Sequence, residues 1–243
     1  MTIQLPVRLL AAPGGSPPTR FFAVAIPAAA ALCVPVPAAF HAIAVSTVAA
    51  TAGYVAGAAA RLAVPRYAVP RRWYELPTAA LWALVAAAWH GGLIPWWWVP
   101  AIAFLAWLVV SLTALDLHHR RLPNQLTLTA FPVTLALLAF AASASHVDLL
   151  VEALLGALAL TAFYALVRAA NPEAIGMGDI KLAPTLGLFL GIGGPNFVLL
   201  GPLIASSLTL LLHCVRHASW RHHIPYGPGL LASTFALALP VFS

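Results

Sequence analysis

Leu108-Val-Val-Ser-Leu-Thr-Ala-Leu-Asp116-Leu-His-His-Arg-Arg-Leu-Pro-Asn124 decides how this chain is to be read. Its first eight residues close an apolar run that starts near residue 95. An acid, two histidines, two arginines and a proline then break it. This is how a membrane helix ends at a polar face. A second acid, Asp179, stands in Gly176-Met-Gly-Asp-Ile-Lys-Leu182, at the start of another apolar run. The whole chain has only six Asp and Glu residues. An ionisable group at membrane depth is costly, so each of these two is a functional-site candidate on that ground alone.

Composition sets the class. Hydrophobic residues make up 62% of the chain and charged residues 7%, with a mean hydropathy of +0.94. Soluble domains carry about 25% charged residues, so a water-facing surface is excluded. A membrane β-barrel needs alternating apolar and polar residues. Here the apolar runs are continuous and rich in the helix formers Ala and Leu. The expected fold is all-α, a polytopic transmembrane bundle of about eight to nine spans at roughly 20 residues each. The formal charge of +6 does not indicate nucleic acid, because the cations punctuate apolar segments and form no face or run. Cys33 and Cys214 are far apart and have no metal-ligand spacing; both read as small membrane-buried residues.

Breaks at glycine, proline and charge divide the chain. Residues 1–20 form a proline-rich lead that does not look like a cleavable signal. Residues 21–60 carry no charge and read either as two spans, near 21–34 and 38–60, or as one long kinked helix. A basic loop follows, from Arg61 to Trp73. Further spans are expected near 75–90, 95–115, 125–145, 148–168, 180–193, 195–215 and 227–242. Residues 1–71 are thus an unassigned N-terminal region and 72–243 a membrane core. Ten of the twelve Lys and Arg residues fall in alternate breaks, and the intervening breaks carry none. By the positive-inside rule the basic breaks are cytoplasmic. Asp116 and Asp179 then lie at cytoplasmic helix ends, at one membrane level. Trp96, Trp97 and Trp98 fall on the opposite side and read as an interfacial aromatic belt.

Two carboxylates across a small gap can activate water. One takes a proton from the water, and the other, protonated, polarises the carbonyl under attack; a close pair shares one proton. Asp116 and Asp179 are the acids placed for this. Asp148 and Glu152 belong to the outer side, Glu75 starts a span, and Glu173 lies in a loop. Gly176 and Gly178 are expected to supply unusual backbone angles and room for a substrate. Simpler roles compete: Asp179 as a helix cap, and Asp116 paired with Arg120 or Arg121 at a helix end. His118 and His119 read as interfacial polar groups, and no metal site is expected.

Asp116-Leu-His-His-Arg-Arg-Leu-Pro-Asn-Gln-Leu-Thr127 resembles the first aspartate motif of type IV prepilin peptidases. Gly176-Met-Gly-Asp-Ile-Lys-Leu-Ala-Pro-Thr-Leu-Gly187, with Gly191 beyond it, resembles their second, the G-x-G-D signature. Ile224-Pro-Tyr-Gly-Pro228 is similar to the segment before the family's last span, and Arg72-Trp-Tyr-Glu-Leu-Pro-Thr-Ala79 is more loosely similar to the stretch before its core. The resemblance covers about residues 72–242. It implies an intramembrane aspartic endopeptidase in the inner membrane of a bacterium. Such an enzyme removes the short basic leader of prepilins or pseudopilins on the cytoplasmic side and needs no cofactor. Asp116 and Asp179 would be the catalytic pair. Gly176, Gly178, Lys181, Pro123 and Asn124 would shape the site or meet the substrate. The implied partners are a prepilin or pseudopilin and the lipid bilayer, with no nucleic acid. Larger members carry paired Cys-x-x-Cys motifs associated with methylation of the new N-terminus. This chain has no such pair, so zinc is not expected and N-methyltransferase activity is not implied. Pro184 stands where the family usually has a small residue, which raises the expectation of a shifted helix after Asp179. Two other readings stay open: a proton-coupled transporter or channel that uses the same carboxylates, and an inactive family member acting in pilus assembly.

Overall fold

Inside a bilayer the backbone has no water to bond with, so apolar runs satisfy their own N–H and C=O groups by closing into helices. The computed structural model describes residues 36–63, 69–119, 123–173, 175–215 and 226–242, and no strand occurs among them. Among the described residues eight α-helices follow one another: α1 (Val36–Ala63), α2 (Glu75–His90), α3 (Val99–His119), α4 (Asn124–Ala144), α5 (Asp148–Ala170), α6 (Met177–Ile192), α7 (Pro195–Val215) and α8 (Gly227–Ala238). Four stretches, Phe40–Leu62 within α1 and the whole of α3, α4 and α5, are long and apolar enough to cross a membrane. At 16 residues, α2 and α6 fall short of an upright crossing. The expected span at 21–34 lies outside the described residues, as do Arg120, Arg121 and Cys33.

The turns come where glycine and proline place them. Gly92 (φ 74°) and Gly194 (φ 84°) take the left-handed conformation after α2 and α6, where a β-carbon would be strained. Pro123 occupies the N-cap position of α4 with extended angles, and Pro195 opens α7. Pro184 lies inside α6, yet the helix runs through it to Ile192. The proline removes the N–H that would have bonded the carbonyl of Ile180, without ending the element.

Helix α6 is the hub. From Leu182 to Ile192 nearly every residue is buried, and α6 packs on α4, α5, α7 and α8. Its closest neighbour is α5, and glycine explains why. A β-carbon on Gly187 would stand 2.6 Å from the carbonyl oxygen of Gly156 and 2.7 Å from the Cα of Ala157; one on Gly191 would lie 2.9 Å from the Cα of Gly156. The two backbones touch because side chains are missing, the usual device for helix packing in lipid. The contacts of Gly191 with Gly156 and Glu152 put the end of α6 beside the start of α5, so the two run antiparallel. Gly156→Ala is therefore expected to force the helices apart and to destabilise the fold by about 1–3 kcal/mol. Thermal unfolding in detergent against the parent protein checks this.

Tryptophan N–H groups tie the remaining helices. Trp82 Nε1 donates to the carbonyl of Ala103 at 2.9 Å, Trp107 Nε1 to that of Ala56 at 3.0 Å, and Trp98 Nε1 to that of Ala238 at 3.1 Å. Trp98 corrects the expectation of an aromatic belt. It is fully buried and meets Phe189 and Phe242 edge to face, so it pins the end of α8 to the start of α3. Trp96, 60% exposed, remains in the position a belt residue takes. Cys214, read as membrane-buried, lies on the outer surface of the bundle near the end of α7.

Candidate active site

Asp116 lies in the last turn of α3, which continues to His119 instead of stopping before the acid. Asp179 is the third residue of α6, in its first turn, where the unpaired N–H groups favour a negative charge. Antiparallel packing brings these two helix ends to the same end of the bundle. Both side chains are buried, at 9% and 8% exposure.

They converge on one point. A β-carbon built on Gly227, the first residue of α8, would lie 3.0 Å from Asp116 Oδ2 and 3.4 Å from Asp179 Oδ1. The two oxygens are therefore no farther apart than the sum of those distances. Both carboxyl groups thus border the point beside Gly227 where a side chain would otherwise stand. Residues 63 positions apart along the chain (179 less 116) meet here.

Of the simpler roles, capping does not describe Asp179. Gly176 holds the N-cap position, no side chain caps the helix, and the backbone N–H of Asp179 donates to the carbonyl of Gly176 at 3.1 Å. The suggested partners of Asp116, Arg120 and Arg121, lie outside the described residues. Gly176 and Gly178 also differ from expectation, since positive φ among the described glycines is confined to Gly92 and Gly194. A β-carbon on Gly176 would make only an ordinary contact, 3.4 Å from Asp179 Oδ2.

The other sequence candidates gather nearby. Lys181 Nζ donates to Asn124 Oδ1 at 2.8 Å, fastening the first residue of α4 to the first turns of α6. Pro123, buried, fixes the entry into α4. His118 is satisfied locally, with Nδ1 2.9 Å from the carbonyl oxygen of Ala114 and its ring edge-on to Trp73. Glu75 is a third buried acid, at 2% exposure, but it has its own partners. Arg71 Nε lies 3.2 and 3.3 Å from its two oxygens and Arg61 Nε 3.6 Å from one of them. Glu75 locks the loop between α1 and α2.

The sequence reading missed Tyr164, Tyr226 and Gly227. The Tyr164 and Tyr226 hydroxyls are 3.1 Å apart, and the Tyr226 hydroxyl donates to the carbonyl of Pro202 at 3.2 Å. The signal for Tyr226 and Gly227 was present in Ile224-Pro-Tyr-Gly-Pro228, a motif quoted without a role.

Fold and site together define an all-α membrane protein with a paired-carboxylate centre at one end of its bundle. Residues 102–214, which include both aspartates, match the type IV leader peptidase family. Among curated relatives, a prepilin leader peptidase/N-methyltransferase of Aeromonas hydrophila is 34% identical over 158 residues, covering 64% of this chain and 53% of the relative. Proteins of the same name from Pseudomonas aeruginosa and Bacillus subtilis are 33% identical over 161 residues and 31% over 140, covering 64% and 56% of this chain and 53% of each relative. The chain thus spans about half the length of these relatives. No solved structure gives a significant match.

Proposed function

We propose that this chain is an aspartic endopeptidase that cuts the short basic leader from type IV prepilins or pseudopilins at the cytoplasmic face of the bacterial inner membrane. Its catalytic core would run over residues 72–243. The observation that carries the reading is the convergence of Asp116 and Asp179, both buried, on the empty β-position of Gly227. The family match over residues 102–214 supports it.

The chemistry follows from the pair. The ionised carboxylate removes a proton from a water held in the gap, and the water oxygen attacks the scissile carbonyl carbon. The protonated carboxyl gives its proton to the carbonyl oxygen, so no full negative charge develops there. Collapse of the tetrahedral intermediate breaks the C–N bond, and the leaving nitrogen takes up a proton from the dyad. A helix hides its carbonyls in hydrogen bonds, so the substrate must be unwound where it is cut.

Sidedness is supported by charge. Lys181 shares the first turns of α6 with Asp179, and Arg61, Arg71 and Arg168 stand at the end of α1, before α2 and at the end of α5, while the turns at Gly91–Gly92 and Gly193–Gly194 carry no Lys or Arg. The transporter reading has less support, because transport carboxylates sit near the midplane of the bilayer and these occupy helix termini. The test is co-expression with a prepilin in a bacterium lacking its own leader peptidase. The expected product is a shortened pilin whose new N-terminus, read by mass spectrometry, lies at the leader junction. Unchanged precursor across a panel of prepilins would sink the proposal.

A further inference from the structure

An open groove of about 440 Å³ lies between α5 and α7 and reaches the residue before α8. Phe163, Leu199 and Leu203 form its rim, 46%, 70% and 62% exposed, and on a membrane protein that exposure faces lipid. Its floor is polar. The Tyr164 and Tyr226 hydroxyls and Ser206 Oγ meet around the carbonyl oxygen of Pro202, which accepts from Ser206 at 2.8 Å and from Tyr226 at 3.2 Å.

The direction of these bonds determines what the floor offers. Tyr226 donates to Pro202 at 3.2 Å, and its oxygen lies 3.1 Å from the Tyr164 hydroxyl in a contact where either hydroxyl can be the donor. With its proton given to Pro202, the half-buried Tyr226 hydroxyl keeps lone-pair capacity to accept, and the fully buried Tyr164 braces it. An acyl chain has no N–H to give it. A helix that unwinds at one end has several, and in lipid each must find an acceptor. Position agrees with chemistry, because Tyr226 is joined directly to Gly227, the residue on which both carboxylates converge.

We propose that this groove receives the apolar transmembrane helix of the peptide substrate, with the Tyr226 oxygen accepting from a backbone N–H where that helix unwinds on its way to Asp116 and Asp179. The proposal rests on the peptidase reading and names how its substrate is held.

Disulfide trapping tests it in the full-length protein with Cys33 and Cys214 changed to Ser and Asp116 to Asn, which leaves the substrate uncut. A prepilin carrying single cysteines along its apolar helix is the probe. Leu203→Cys is expected to give a cross-linked adduct. Leu84→Cys, on the exposed face of α2, is expected to give none. In the active protein, Leu203→Trp fills the groove and is expected to slow cleavage of the membrane-bound prepilin roughly tenfold or more, chiefly through KM. Adducts from Leu84→Cys but not from Leu203→Cys, or parental cleavage by Leu203→Trp, would overturn the groove while leaving a cleaving enzyme in place. Failure of the parent chain to cut any prepilin would overturn the peptidase reading and this proposal with it.

Discussion

Asp116→Asn and Asp179→Asn, introduced one at a time, are each expected to reduce prepilin cleavage by roughly 10³-fold or more, within the range that positioned acid–base groups contribute. Asparagine keeps the shape of aspartate but neither takes nor gives the proton that each step needs. Because the pair acts as one unit, the double variant is expected to be no slower than the slower single variant; effects of groups that work together do not add. Stability is expected to hold, since an uncharged amide is cheaper than a carboxylate to keep at 8–9% exposure. Pulse-labelled prepilin followed over time measures the rate, and thermal unfolding in detergent measures the fold. If either single variant cleaves within about tenfold of the parent, a level below the usual acid–base contribution, the dyad is wrong.

How far the sequence led, and where it stopped, follows from which physical terms are local. Apolar runs punctuated by glycine and proline locate the helices closely: expected spans at 125–145, 148–168 and 195–215 became Asn124–Ala144, Asp148–Ala170 and Pro195–Val215. Local backbone chemistry writes those boundaries. The pairing of Asp116 with Asp179 was legible too, because charge sidedness puts both at one membrane level. What sequence could not supply was the third partner. Gly227 matters through the side chain it lacks, and that shows only when α8 is packed against α3 and α6. Trp98 misled for a similar reason. Its amphipathic ring suits an interface, but its N–H found the carbonyl of Ala238 inside the bundle. The groove was invisible because it is the space between α5 and α7, whose facing residues are remote in sequence.

Gly227→Val is expected to be the most damaging change that removes no reactive group. The β-carbon alone would stand 3.0 Å from Asp116 Oδ2 and 3.4 Å from Asp179 Oδ1, inside the gap assigned to the water, and the methyls of valine would push farther in. The backbone raises no objection, since Gly227 does not adopt a positive φ and opens a helix that tolerates side chains. The damage therefore falls on chemistry. Displacing the carboxylates by about an ångström is expected to cost around 10²-fold in kcat, with alanine intermediate and the melting temperature little changed. Gly229 supplies the contrast two residues along the same helix. A β-carbon there would meet Thr209 Oγ1 at 2.7 Å and the carbonyl oxygen of Ala205 at 2.9 Å, both on α7. Gly229→Ala should thus lower the melting temperature by prising α8 from α7. If Gly227→Val cleaved prepilin at the parental rate, the carboxylates would not share the space beside α8, and the water would have to be held elsewhere.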